Sequence, residues 1–261
     1  MKKFTYLAIP ILMLACQPSK QTEKQTEEIT YKAPDHHSES LTKVFDAHGG
    51  YEQWTKMKSL SYMKGEESTI TNLQNRKIRL ESPKQTIGFD GNEVWVTPDT
   101  VDASTARFYH NLFFYFYAMP FVVGDPGAFY EDVDPRTLKG KTYKGIKISY
   151  GENVGDAPDD TYILWYDPET NKMEWLMYTV TYRSGEPSDT YKLIKYDQWA
   201  EVNRLLLPTA IQWHQFKNDS VGEMSNEVVF ESIELSEEAP ADSLFVMPEN
   251  AQIAPLNVGK G

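Results

Sequence analysis

Histidine and cysteine are scarce in this chain of 261 residues, and their placement limits the chemistry open to it. The five histidines are His36, His37, His48, His110 and His214, and only the first two are neighbours. Around His36-His37 no further ligand stands at metal-binding spacing, so the pair reads as solvated. His48 closes an amphipathic segment and can cap a helix C-terminus. His110 and His214 are the pair that folding could unite as the acid–base centre of a hydrolase. Gly140-Lys141-Thr142 has the ending of a phosphate-binding loop, but Pro135 stands where that loop needs its first glycine. No Gly-x-Ser-x-Gly turn and no His-Glu-x-x-His pair occurs. Asp156-Ala157-Pro158-Asp159-Asp160 lacks the ordered spacing of a calcium loop, and Glu66-Glu67 and Glu237-Glu238 read as solvated turns and strand edges. The expectation is a non-enzyme with no catalytic residues, no cofactor and no metal.

Two features remain. The first is Cys16, the single cysteine; one cysteine excludes an internal disulfide and an all-cysteine metal site. Residues 1–15 read as a signal peptide: Lys2 and Lys3, then a stretch from Phe4 to Ala15 too short to span a bilayer. Met13-Leu14-Ala15-Cys16 resembles a bacterial lipobox, with Met13 where leucine is preferred. In that motif the cysteine is diacylated and becomes the new N-terminus, and two or more acyl chains anchor stably. Gln17, not aspartate, follows, which in the commonest sorting rule implies the outer membrane; periplasmic or surface side stays open. Residues 16–39 are then the lipidated cysteine and a polar, flexible tether.

The second feature is aromatic. The chain holds 16 Tyr, 12 Phe and 6 Trp. Seven of these rings fall between Phe108 and Tyr117, inside a segment, 105–123, that reads as one helix ended by Pro120. Such a helix is either core or a lid over an apolar ligand. The expected cavity lining is Trp95, Phe108, Tyr109, Leu112, Phe113, Phe116, Tyr117, Trp165, Trp175, Met177 and Trp213. The net charge of −12 weighs against nucleic acid and anionic membrane surfaces as partners.

These residues need a scaffold. Leu41, Val44, Phe45 and His48 mark a helix capped by Ser40, ended by Gly49-Gly50 and followed by a turn with Tyr51 and Trp54. Strands follow at 76–81, 87–89 and 94–96, with Asp90-Gly91 as a hairpin turn. After Gly127 the β pattern persists to the end, through 162–166, 173–182, 191–196, 210–216 and 228–235. No βαβ alternation and no second domain boundary is visible.

Ala47-His48-Gly49-Gly50 with Trp54, Gly88-Phe89-Asp90-Gly91 with Val94-Trp95, Trp199 with Leu207-Pro208-Thr209 and Trp213, and Leu244-Phe245-Val246-Met247-Pro248 together resemble the LolA/LolB-like superfamily of lipoprotein carriers, nearest to an uncharacterised branch of bacterial lipoproteins. The likeness covers roughly residues 40–250 in element order. It implies a mostly β (α+β) fold: a single strongly curved antiparallel sheet, or incomplete barrel, with helices plugging its concave face. Residues 40–261 are thus expected to form one LolA/LolB-like domain. The function implied is non-enzymatic binding of a lipid or acyl chain by a monomer anchored in the outer membrane. The alternative is an envelope interaction protein whose barrel is packed solid.

Overall fold

The computed structural model describes residues 37–150, 160–181 and 187–255. Residues 1–15, Cys16, most of the expected tether and Asp156–Asp159 therefore lie outside the described residues.

Two helices open the described chain: α1 (Glu39–Ala47) and α2 (Tyr51–Lys56). The cap of α1 is Ser38, not Ser40, with its hydroxyl accepting from the Leu41 N–H at 3.2 Å. His37 is likewise no part of a solvated linker. Its ring lies edge-on to Phe45 and Tyr51 at 4.9 and 4.6 Å, 3.3 Å from the Gly124 carbonyl. The hairpin strands β1 (Ser59–Lys64), β2 (Glu67–Asn72), β3 (Ile78–Glu81), β4 (Thr86–Phe89) and β5 (Val94–Thr97) follow. Then come three short helices, α3 (Ala106–Tyr109), α4 (Leu112–Tyr117) and α5 (Met119–Val122).

The expected single aromatic helix is thus broken twice. Proline at 120 has no N–H to give to the Phe116 carbonyl, and this residue lies in the first turn of α5 instead of ending the segment. The Tyr196 hydroxyl donates to that carbonyl at 2.8 Å. At the first break the His110 ring bonds the Arg107 carbonyl through Nδ1, a local bond that competes with helix continuation.

The rest is a meander: β6 (Ala128–Leu138), β7 (Lys141–Tyr150), β8 (Tyr162–Tyr166), β9 (Met173–Tyr178), β10 (Lys192–Val202), β11 (Leu205–Lys217), β12 (Ser220–Val229), β13 (Glu231–Ser236) and the short β14 (Gln252–Ile253). Gly140-Lys141-Thr142 belongs to a hairpin: Lys139-Gly140, Asn203-Arg204 and Asn218-Asp219 are two-residue turns with both residues at positive φ. The strand expected to reach Tyr182 stops at Tyr178, where Thr179 turns its hydroxyl to the Thr161 N–H.

The architecture is mostly β, antiparallel and open, with helices against it, as the sequence leads one to expect. Hydrogen bonding divides it into two seven-stranded sheets rather than one: sheet A in the order β13-β1-β2-β3-β4-β5-β14 and sheet B in the order β12-β11-β10-β9-β8-β7-β6. The chain passes between them at Phe230, whose N–H donates to the Thr209 carbonyl and whose buried ring meets Tyr62 and Tyr117.

One large core lies between helices and sheets. Phe121 stacks on Trp54 at 4.9 Å and lies parallel to Phe45 at 6.4 Å. A second core, on the far face of sheet B, holds Leu138, Tyr143, Trp165, Trp175, Met177 and Leu193. Sheet B is curled enough over this core for Arg136 on its β6 edge to reach Asp219 in the β11–β12 turn at 3.5 Å.

His48 ends α1 fully buried, its Nδ1–H donating to the Val44 carbonyl at 2.8 Å and its ring against Trp199 at 4.7 Å. Burial pulls its pKa down to about 4, against the Val44 bond, which acts to raise it. The unfolded chain therefore takes up a proton near pH 6.5 that the fold refuses until about pH 4. The stabilisation is intact above pH 6.5 and is lost as pH falls towards 4, by up to about 3 kcal/mol. Urea denaturation at pH 7 and pH 4.5 checks this: His48→Gln is expected to lose less stability between the two than the parent.

Candidate ligand-binding site

The aromatic residues expected to form one cavity fall on three surfaces. The first lies between α4 and sheet B, where Phe116 packs on Tyr178 at 4.8 Å and on Trp213 at 5.8 Å. Phe113 meets Trp213 at 6.4 Å and Tyr109 at 5.6 Å. The indole of Trp213 donates to the Tyr178 hydroxyl at 2.9 Å. Tyr117 stacks on Tyr62 at 4.7 Å deeper inside, and Leu112 packs half-buried on the same core. Phe108 is also half-buried, outside that cluster.

The depth of this layer is filled: Phe114, Phe116 and Tyr117 are 2, 6 and 0% exposed. Its outer margin is not. Tyr109, Leu112, Phe113, Tyr115 and Trp213 remain half-buried, and so do Tyr150 and Tyr162 at the adjoining strand ends. Tyr162 lies parallel to Tyr178 at 6.4 Å and edge-on to Tyr150 at 6.0 Å. Burial raises the pKa of each of these three phenols, so all are neutral at physiological pH.

A polar latch stands at one end. Lys64 and Glu67 face each other across the β1–β2 turn at 3.2 Å, with side chains 18 and 14% exposed. The Tyr109 hydroxyl donates to Glu67 at 3.1 Å, and the Lys64 ammonium sits 4.5 Å from the Phe113 ring centre. Burial works against the Lys64 charge, but Tyr109 and Glu67 outweigh it, and the pKa lies above the ordinary lysine value. Glu67 is thus a partner inside the structure and not the solvated turn residue expected from Glu66-Glu67.

The other expected lining residues point elsewhere. Trp95 lies between Val94 and Val96 of the main core but faces away from it. Its indole donates to the Phe245 carbonyl at 3.1 Å and lies over Gly88, where a Cβ would stand 2.1 Å from the ring. Trp165, Trp175 and Met177 belong to the second core. The reason is parity: adjacent strand residues face opposite ways, and Trp165 pairs directly with Trp175. Lys64, Glu67, Tyr150, Tyr162 and Tyr178 were missed. For Tyr162 and Tyr178 the signal was present, since they alternate in phase with Leu164 and Leu176 of the main core.

No hydrolytic pair forms. His214 contacts Trp175 at 5.3 Å and the Gly222 carbonyl on the second-core side, and His110 packs on Phe89 of β4. Among the described residues no group of three or more His, Cys, Asp or Glu side chains could hold a metal. No described helix is long and apolar enough to cross a membrane.

A family model described as a family of unknown function, DUF6503, matches residues 92–221. No curated protein matches. Solved structures do. The LolA superfamily protein of Nitrosomonas europaea matches at 12% identity and TM-score 0.45, covering 72% of this chain and 87% of that one. A DUF1329 family protein of Desulfovibrio piger matches at 8% and 0.45, covering 80 and 98%. An outer membrane lipoprotein-sorting protein domain of Vibrio parahaemolyticus matches at 4% and 0.41, covering 74 and 93%. The superfamily that the sequence motifs resemble is thus present among the matches.

The Tyr196 bond holds the α4–α5 joint. Tyr196→Phe is expected to lower stability by about 1–3 kcal/mol, the cost of a buried carbonyl left unpaired. Equilibrium unfolding monitored by tryptophan fluorescence measures it.

Proposed function

We propose that this protein is a bacterial lipoprotein anchored through Cys16 in the outer membrane, and that it binds a lipid or another hydrophobic ligand against the aromatic margin of α4. The observation that carries the reading is the contiguous set of half-buried side chains at that margin: Tyr109, Leu112, Phe113, Tyr115, Tyr150, Tyr162 and Trp213. Exposed aromatic surface of this extent gains free energy when an acyl chain covers it, about 0.8 kcal/mol per buried methylene. Lys64 stands at the edge of the patch, and a carboxylate or phosphate headgroup would have to compete there with Glu67 for its charge. No catalytic step is part of this reading.

The filled depth of the same layer favours a second reading, in which the margin receives an apolar segment of another envelope protein. Native mass spectrometry and titration with a fluorescent fatty acid, on residues 17–261, separate the two. Saturable uptake is expected, weakened at least about tenfold by Phe113→Asp. That position is half-buried, so the variant is expected to keep its circular dichroism spectrum. An empty protein with no uptake would refute ligand binding and leave the docking reading. The anchor has its own test: Cys16→Ser is expected to move the protein from the membrane fraction to the soluble one.

A further inference from the structure

Sheet B carries a concavity on the face turned away from the helices. Its curled edges, the β6 bulge at Val133–Arg136 and the β11–β12 turn, bound a cleft of about 870 Å³. That volume is in the range of small-molecule sites. Trp165, Met177 and Phe216 form an apolar floor.

Arg136 stands in the cleft between two rings, its guanidinium 5.7 Å from the centre of Trp165 and 5.8 Å from that of Phe216. Its polar contacts are poor for a group with five donors: the Met177 sulfur at 3.5 Å, and Asp219 at 3.5 Å, a side chain 82% exposed. The guanidinium at the centre of the cleft therefore keeps donors to spare for a ligand. The rim has the opposite sign: Asp134, Asp189 and Asp219 line it, with Lys217 as the second cation.

We infer that this cleft is a second binding site, for an apolar α-amino acid or short peptide with free termini, whose carboxylate meets Arg136 and whose ammonium meets the rim aspartates. Each part of the site selects one part of that ligand. A planar guanidinium held by two rings recognises a carboxylate with two parallel bonds. The floor takes an apolar side chain. The three aspartates repel a simple fatty acid or a phosphate dianion and attract a ligand that also carries a positive charge. The site shares no residue with the α4 margin.

Tryptophan fluorescence of the 17–261 protein, titrated with the tripeptide Ala-Leu-Phe, tests the inference. Saturable binding is expected, weakened at least about tenfold when the peptide is C-terminally amidated and again by Arg136→Gln. Arg136→Lys is expected to restore part of the loss, and Asp189→Asn to weaken the free peptide more than its N-acetylated form. Near-ultraviolet circular dichroism confirms that each variant is folded. No saturable change up to about 1 mM peptide, or equal binding of acid and amide, would overturn the assignment.

Discussion

Sheet B bears large side chains on both faces, and that constraint shapes the molecule. Leu164, Tyr166, Leu176 and Ile194 point one way; Trp165, Trp175, Met177 and Leu193 point the other. A sheet of this kind cannot leave either face in water. The first face turns to the main core, where α4 packs on it through Phe116. Among the described residues the second has no helix, and the long strands bend until β6 and the β11–β12 turn meet through Arg136 and Asp219. Gly145 permits the tight approach there: a Cβ at that residue would lie 2.4 Å from the Trp165 ring.

The two coverings differ in kind. Helix against sheet produces a dense aromatic layer whose depth is closed and whose margin is half-open. Sheet against itself cannot close fully, because two strand edges that meet at side chains leave space between them. Apolar, polyaromatic surface is therefore found on one side and a cleft with mixed charge on the other.

Much of this was legible in the residues. The spacing of Leu41, Val44 and Phe45 marks α1, Asp90-Gly91 marks the β4–β5 turn, and the meander after Gly127 follows from alternation alone. What alternation does not settle is which face is which: with tryptophan at 165 and 175 and leucine at 164 and 176, either set could have faced the helices. Pro120 was visible, but proline closes one helix and opens the next equally well. Contacts between distant residues had no local signal. Arg76 meets buried Asp125 at 2.5 Å over 49 residues, and burial raises the pKa of that carboxyl while Arg76 opposes the shift. The motifs on which the resemblance rested prove to be packing devices. Gly49 sits at φ 104 with no room for a side chain beside the Arg204 carbonyl, and Phe245 offers its carbonyl to Trp95.

The strand order sets a timetable for assembly. Every strand of sheet B pairs with its neighbour in sequence, so each hairpin can close as soon as it has been synthesised. Sheet A cannot do this. Its outer strands come from the far end of the chain, Ser236 opposite Ser59 and Ile253 opposite Trp95. Until those residues exist, β1 through β5 form a five-stranded sheet with both edges bare, a surface that pairs readily with any other extended chain. The last thirty or so residues thus act as a pair of selvedges, sewn on at the end, and the half of the molecule made first is the half completed last.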